Sequence, residues 1–198
     1  MKTTVYLIRH AESDHAVRDA KTRPLTEKGL KDAKALPELF SDIDVSRVFS
    51  SPYLRAVLTV APIAEEKNLP VQTDDRMREW MGGRPFPNEM FESRMREMFE
   101  NETCTNGGAE SLKALKKRTK EFMMHILTRC PGETVIVGTH ALALTAAVMN
   151  FDSSIGIDFL MNLLPVTPFA VKMTFENFDP VSVEYSFSEK IQSQEEDK

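Results

Sequence analysis

Two short apolar runs, Val5-Tyr6-Leu7-Ile8 and Val135-Ile136-Val137, each lead within three residues to a histidine, as Arg9-His10 and as Gly138-Thr139-His140. Runs of this length and composition are strands buried on both faces, which occur in parallel sheets covered by helices on either side. The chain is therefore predicted to be α/β, with two strands that deliver two imidazoles.

The rest of the pattern agrees. Strands are predicted at residues 4–8, 45–49, 71–73 and 134–138, alternating with helical spacing. Thr26 can cap a helix whose Leu30, Ala33, Leu36 and Leu39 face inward, with Pro37 near its end. A second helix is expected over 52–67, with Pro52 at its first position and Pro62 kinking it or ending its regular bonding. Met90, Phe91, Met95, Met98 and Phe99 mark a third, and a long one follows Glu110-Ser111 to about Arg129, where Cys130-Pro131-Gly132 stops it. Another helix begins at Ala141 after His140, and segments 169–175 and 181–187 around Asn177-Phe178-Asp179-Pro180 read as a hairpin at a sheet edge. Residues 1–191 make one domain, and the polar segment 192–198 is expected to be a disordered acidic tail.

Chemistry enters with Arg9-His10. An imidazole attacks phosphorus only through an unprotonated nitrogen, and a neighbouring guanidinium disfavours the imidazolium while offering planar donors to phosphoryl oxygens. Taken singly, a histidine at a strand end is an ordinary hydrogen-bonded polar group. It has company here. In Ser50-Ser51-Pro52-Tyr53-Leu54-Arg55, an arginine sits on the opening turn of a helix, where its charge adds to the positive end of the dipole unless an anion is nearby. Ser13, three positions beyond His10, can offer a hydroxyl to such an anion or simply form a turn.

These residues, with Pro24-Leu25-Thr26-Glu27-Lys28-Gly29 and Arg78-Glu79, resemble the histidine phosphatase superfamily, also called the phosphoglycerate mutase-like family, in order from about residue 5 to 145. The resemblance implies a three-layer α/β/α sandwich with a mostly parallel central sheet. It implies that His10 is the nucleophile, that Arg9, Arg55 and His140 surround the phosphoryl oxygens, and that Glu79 protonates the leaving oxygen; among the carboxylates just upstream, Asp75 is the reserve candidate. Donors fixed around the equatorial oxygens supply most of the catalysis of phosphoryl transfer. One position departs from the mutase branch, which carries an asparagine where this chain has Ala16. His15 reads as an exposed loop residue and His125 as a helix-face residue.

A net charge of −5 and no basic run interleaved with aromatics argue against nucleic acid as a partner. Cys104 and Cys130 form neither a disulfide framework nor a metal cluster, and no apolar stretch has transmembrane length or the form of a signal peptide. A cytoplasmic protein needing no metal or other cofactor is expected, without a membrane partner. Its partners are a small phosphorylated substrate and, at most, a second copy in a homodimer. Residues 81–109 read as a short cap over the pocket, with Arg84, Arg94 and Arg96 as candidate substrate contacts, against the plainer reading of the Met and Phe stripe as core. The activity expected is phosphomonoester hydrolysis through phospho-His10; the alternatives are mutase-type phosphoryl transfer and non-catalytic phosphate recognition.

Overall fold

In the computed structural model, which describes residues 1–82 and 88–185, the two apolar runs become β1 (Lys2–Arg9) and β4 (Thr134–Thr139). They pair in parallel with Arg9 opposite Thr139, so the histidines that follow them leave the sheet side by side at its carboxyl edge. That edge is where open α/β sheets bind ligands. β2 (Arg47–Ser50) runs parallel on the far side of β4, with Ser50 opposite Gly138, and β3 (Val71–Thr73) lies parallel beyond it. The antiparallel hairpin of β5 (Phe169–Glu176) and β6 (Asp179–Tyr185) joins the other side of β1, giving the order β3-β2-β4-β1-β5-β6.

Side chains alternate across this sheet and fill two cores. Tyr6, Ile8, Val48 and Ile136 pack with Leu36, Phe40, Val60 and Ile63, from the layer formed by α1 (Glu27–Ala35), a 3-10 turn (Leu36–Phe40) and α2 (Leu54–Glu66). Val5, Leu7, Phe49, Val135 and Val137 pack with Phe122, Ile126, Leu144 and Val148, from α4 (Leu112–Arg129) and α5 (Ala141–Met149). Each such buried side chain contributes about 1.5–3 kcal/mol. The three-layer α/β/α sandwich is thus present, its sheet parallel except for the edge hairpin.

The segment 24–29 has a local purpose. Thr26 caps α1 by accepting the Gly29 N–H, and its own backbone N–H bonds to the Glu12 carbonyl at 3.0 Å. A Cβ on Gly29 would lie 2.1 Å from that same carbonyl oxygen, so glycine lets α1 press against the turn behind His10.

Several local expectations are corrected. Leu30 is 41% exposed, while Ala33 and Leu36 face inward as expected; α1 stops at Ala35, and Pro37 lies in the 3-10 turn that follows. Tyr53 caps α2, leaving Pro52 outside it, and α2 continues through Pro62, where burial of Val60, Ile63 and Ala64 offsets one missing bond. The hairpin turn is only Asn177-Phe178, with Asn177 at φ 59°, and Pro180 already belongs to the edge strand, where proline is tolerated. Helix α3 (Phe91–Glu100) buries Met95 and Met98 in the core, so that part of the stripe is packing. Helix α6 (Ile157–Leu163) was not anticipated. The expected tail at 192–198, the end of the second hairpin segment and Arg84 lie outside the described residues.

Candidate active site

His10 leaves β1 with its backbone N–H bonded to the Thr139 carbonyl at 2.9 Å, and its ring Nδ1 lies 2.7 Å from the Ala11 carbonyl. A carbonyl only accepts, so Nδ1 carries the hydrogen and Nε2 keeps a lone pair. Burial, then the positive charge of Arg55 and Arg9, pushes the His10 imidazole down to about 3. A neutral ring with a bare Nε2 is a nucleophile throughout the neutral range.

His140 is fully buried beside it, the two ring centroids 5.2 Å apart. Its Nε2 is 2.8 Å from the Ser51 hydroxyl, which in turn accepts the Tyr53 backbone N–H at 3.2 Å. Among the described residues that hydroxyl has no other acceptor for its proton, so we assign the proton to His140 Nε2, which places the ring hydrogen on Nδ1. Nδ1 is buried with no hydrogen-bond partner. Burial holds this imidazole well below its ordinary value, with His10 and Arg55 acting in the same direction.

The Arg9 guanidinium is gripped at one end. Its Nη1 donates to the carbonyls of Leu163, Leu164 and Val166 at 2.5, 2.9 and 2.7 Å, where α6 ends and its dipole is negative. Its Nε is buried and unpartnered. Arg55, the second residue of α2, donates from Nη1 to the Ala20 carbonyl at 2.6 Å. Burial lowers both arginines, Arg9 to about 10, while the Glu79 carboxylate opposes the shift in each; both remain cations at neutral pH.

Buried polar groups are almost always paired. Two buried N–H donors without partners, Arg9 Nε and His140 Nδ1, beside an imidazole with a free lone pair therefore mark a place for an acceptor. A tetrahedral phosphoryl dianion satisfies them and neutralises the cations.

Glu79 follows a 3-10 turn (Asp75–Met77). Its Oε1 accepts the backbone N–H of Trp80 at 2.9 Å and of Ala143, in the first turn of α5, at 3.2 Å. One carboxylate oxygen is thereby fixed as an acceptor of two backbone N–H groups. The reserve acid is displaced: the Asp75 side chain is 75% exposed and pairs with Arg78 at 3.6 Å. Ser13 is buried, in an isolated bridge to Leu25. His125 lies exposed on α4.

His15 is exposed, as expected, and it leads to an arginine that the sequence did not point to. His15 Nδ1 is 3.4 Å from Arg23 Nη1, and Arg23 lies close enough to Arg55 to depress it. Arg23 is held by its Nε donating to the Val17 carbonyl at 2.9 Å. Its only sequence signal is its place just before Pro24-Leu25. Of the cap arginines, Arg96 pairs with Glu92 on the surface of α3, and Arg94 lines a small cavity with Trp80, Met95 and Met98.

The depressed imidazole has a consequence for stability. Because the folded value of His10 lies below the ordinary 6.5, the unfolded chain binds the extra proton first as pH falls below about 6.5, and stability is lost from there towards pH 3. His10 alone accounts for up to about 2 kcal/mol by pH 5. Melting curves between pH 7 and 5 should fall less steeply for His10→Gln than for the unmodified protein; parallel slopes would show that the imidazole charges freely in the native state.

Comparison with known proteins places these residues in a wider set. The model of the histidine phosphatase superfamily (branch 1) matches residues 5–165. Phosphoserine phosphatase 1 of Hydrogenobacter thermophilus is 32% identical over 164 residues, covering 75% of this chain and 77% of that protein. A 2,3-bisphosphoglycerate-dependent phosphoglycerate mutase of Thermoplasma acidophilum is 38% identical over 78 residues, 37% of this chain and 39% of that protein. Among solved structures, a mutant phosphoserine phosphatase from Entamoeba histolytica in complex with phosphoserine superposes with a TM-score of 0.75 at 16% identity, over 94% of this chain and 98% of the other, which is a likeness of fold.

Proposed function

The chain belongs to the histidine phosphatase superfamily, and from that premise we propose that it hydrolyses small phosphomonoesters through a phosphohistidine on His10. The observation that carries the reading is the bare Nε2 of His10 beside two buried, unpartnered N–H donors.

The steps follow from the geometry. Nε2 attacks phosphorus in line, the N–P bond forms, and the P–O bond to the alcohol breaks while Glu79 Oε2 passes a proton to the departing oxygen. Arg9, Arg55 and the Nδ1–H of His140 hold the non-bridging oxygens throughout, and the Ser13 hydroxyl adds a further donor. Water then attacks phosphorus, Glu79 takes its proton, and the P–N bond breaks to release phosphate and neutral His10. The described part of the expected cap, residues 81–82 and 88–109, contributes contacts to the alcohol part of the substrate. Two unpaired cysteines support a reducing, cytoplasmic setting.

The relatives favour two chemistries for the phosphoenzyme, hydrolysis and return of the phosphoryl group to another hydroxyl. A panel of phosphoserine, sugar phosphates and phosphoglycerates, assayed for inorganic phosphate with and without chelator, separates them. Phosphate release and an acid-labile phosphoenzyme after rapid quenching are expected. Isomerisation of phosphoglycerate with negligible hydrolysis would establish the mutase reading, and phosphate binding without turnover of any ester would make the protein a recognition module.

A further inference from the structure

Four consecutive carbonyls before and at Glu79 receive side-chain donors instead of strand partners. Arg118 Nη1 donates to Arg76 and Arg78 at 2.6 and 2.8 Å, its Nη2 to Glu79 at 3.3 Å, and Thr139 Oγ1 to Met77 at 3.0 Å. The remaining donors of Arg118 meet the Glu110 carboxylate, Nε to Oε1 at 2.6 Å and Nη2 to Oε2 at 2.9 Å. All five N–H groups of this guanidinium are engaged. The pair is nearly buried, with the two side chains 11% and 9% exposed. Glu110 closes the other end: its N–H bonds to the Met81 carbonyl at 2.9 Å and its carbonyl accepts the Trp80 indole N–H at 2.5 Å.

A stretch with no ladder must satisfy its partly buried carbonyls somewhere. Here one planar fork does so for residues on both sides of the Glu79 Cα. We propose that the Arg118–Glu110 pair is a positioning device for Glu79, fixing the backbone from which its carboxylate reaches the leaving oxygen. This rests on Glu79 being the general acid. Lysine, with its donors on a single nitrogen, cannot span three carbonyls and a bidentate carboxylate. A displacement of about 1 Å in a reacting group can cost about 10²-fold in rate.

The test is the dependence on the leaving group. An alkyl phosphate needs a proton for its departing oxygen; p-nitrophenyl phosphate leaves as a stable anion and does not. For Arg118→Lys, kcat/KM is expected to fall by roughly 10²-fold on an alkyl phosphate and by less than about 3-fold on the nitrophenyl ester. Glu110→Gln keeps shape and volume and should show the same split; it is the second variant if Arg118→Lys does not fold, as judged by near-UV circular dichroism. Glu79→Gln serves as the reference. If its kcat/KM falls equally on both esters, Glu79 is not the acid and the functional reading falls with the inference; kcat is not compared, because Glu79 also serves the dephosphorylation step common to both. If it shows the split while the folded Arg118 and Glu110 variants lose rate equally on both esters, or not at all, the positioning role alone is overturned.

Discussion

Changing His10 to alanine is expected to lower kcat/KM for a phosphomonoester by about 10⁴-fold or more, because removal of a nucleophile abolishes the covalent route and leaves only the binding and electrostatic contributions. The cradle should survive the change. Arg9 is anchored by the end of α6, Arg55 by the Ala20 carbonyl and His140 by Ser51, none of which involves the His10 side chain. Inorganic phosphate should therefore still bind. Phosphate release and phosphate titration on the same preparation check both halves, and turnover unchanged in this variant would end the phosphohistidine mechanism.

His140→Ala should cost roughly 10²–10³-fold in kcat, the effect of removing one preorganised donor to the charge that develops on the phosphoryl oxygens. Its KM should change less, since Arg9 and Arg55 still meet the ground-state dianion. The assigned tautomer supplies an internal control. Ser51→Ala removes the hydroxyl that donates to Nε2 and lets the ring hydrogen move there, away from the phosphoryl oxygens. A loss of about 10-fold is expected for that variant, and none in the His140→Ala background, where the ring it orients is gone. Additive losses in the double variant would mean that Ser51 acts on something other than this imidazole.

Much of this site can be read along the chain, for identifiable reasons. Arg9-His10 and Thr139-His140 are adjacent to apolar strands, and a residue following a parallel strand must emerge at the carboxyl edge. Arg55 declares itself as a cation at the positive end of a helix. Glu79 is harder, since Asp75 competes for the same role; burial separates them, and burial depends on where α4 and α5 come to rest. The anchor of Arg9 was invisible because α6 is short and its last residue, Leu163, lies 154 residues further along the chain.

What the sequence alone determined is the period of its apolar residues and the chemistry punctuating them: buried strands, helices on both faces, and two histidines with their cationic neighbours. These are local properties, set by side-chain type and spacing. The tertiary structure decided which donors are already occupied and which are left open. The carbonyls at the end of α6 take one side of Arg9, Ser51 takes one nitrogen of His140, Ala11 takes one of His10, and Arg118 carries the backbone of Glu79. Hydrogen bonds between residues far apart in the chain leave no periodic trace in it, because they depend on the final approach of whole elements and not on any residue's neighbours.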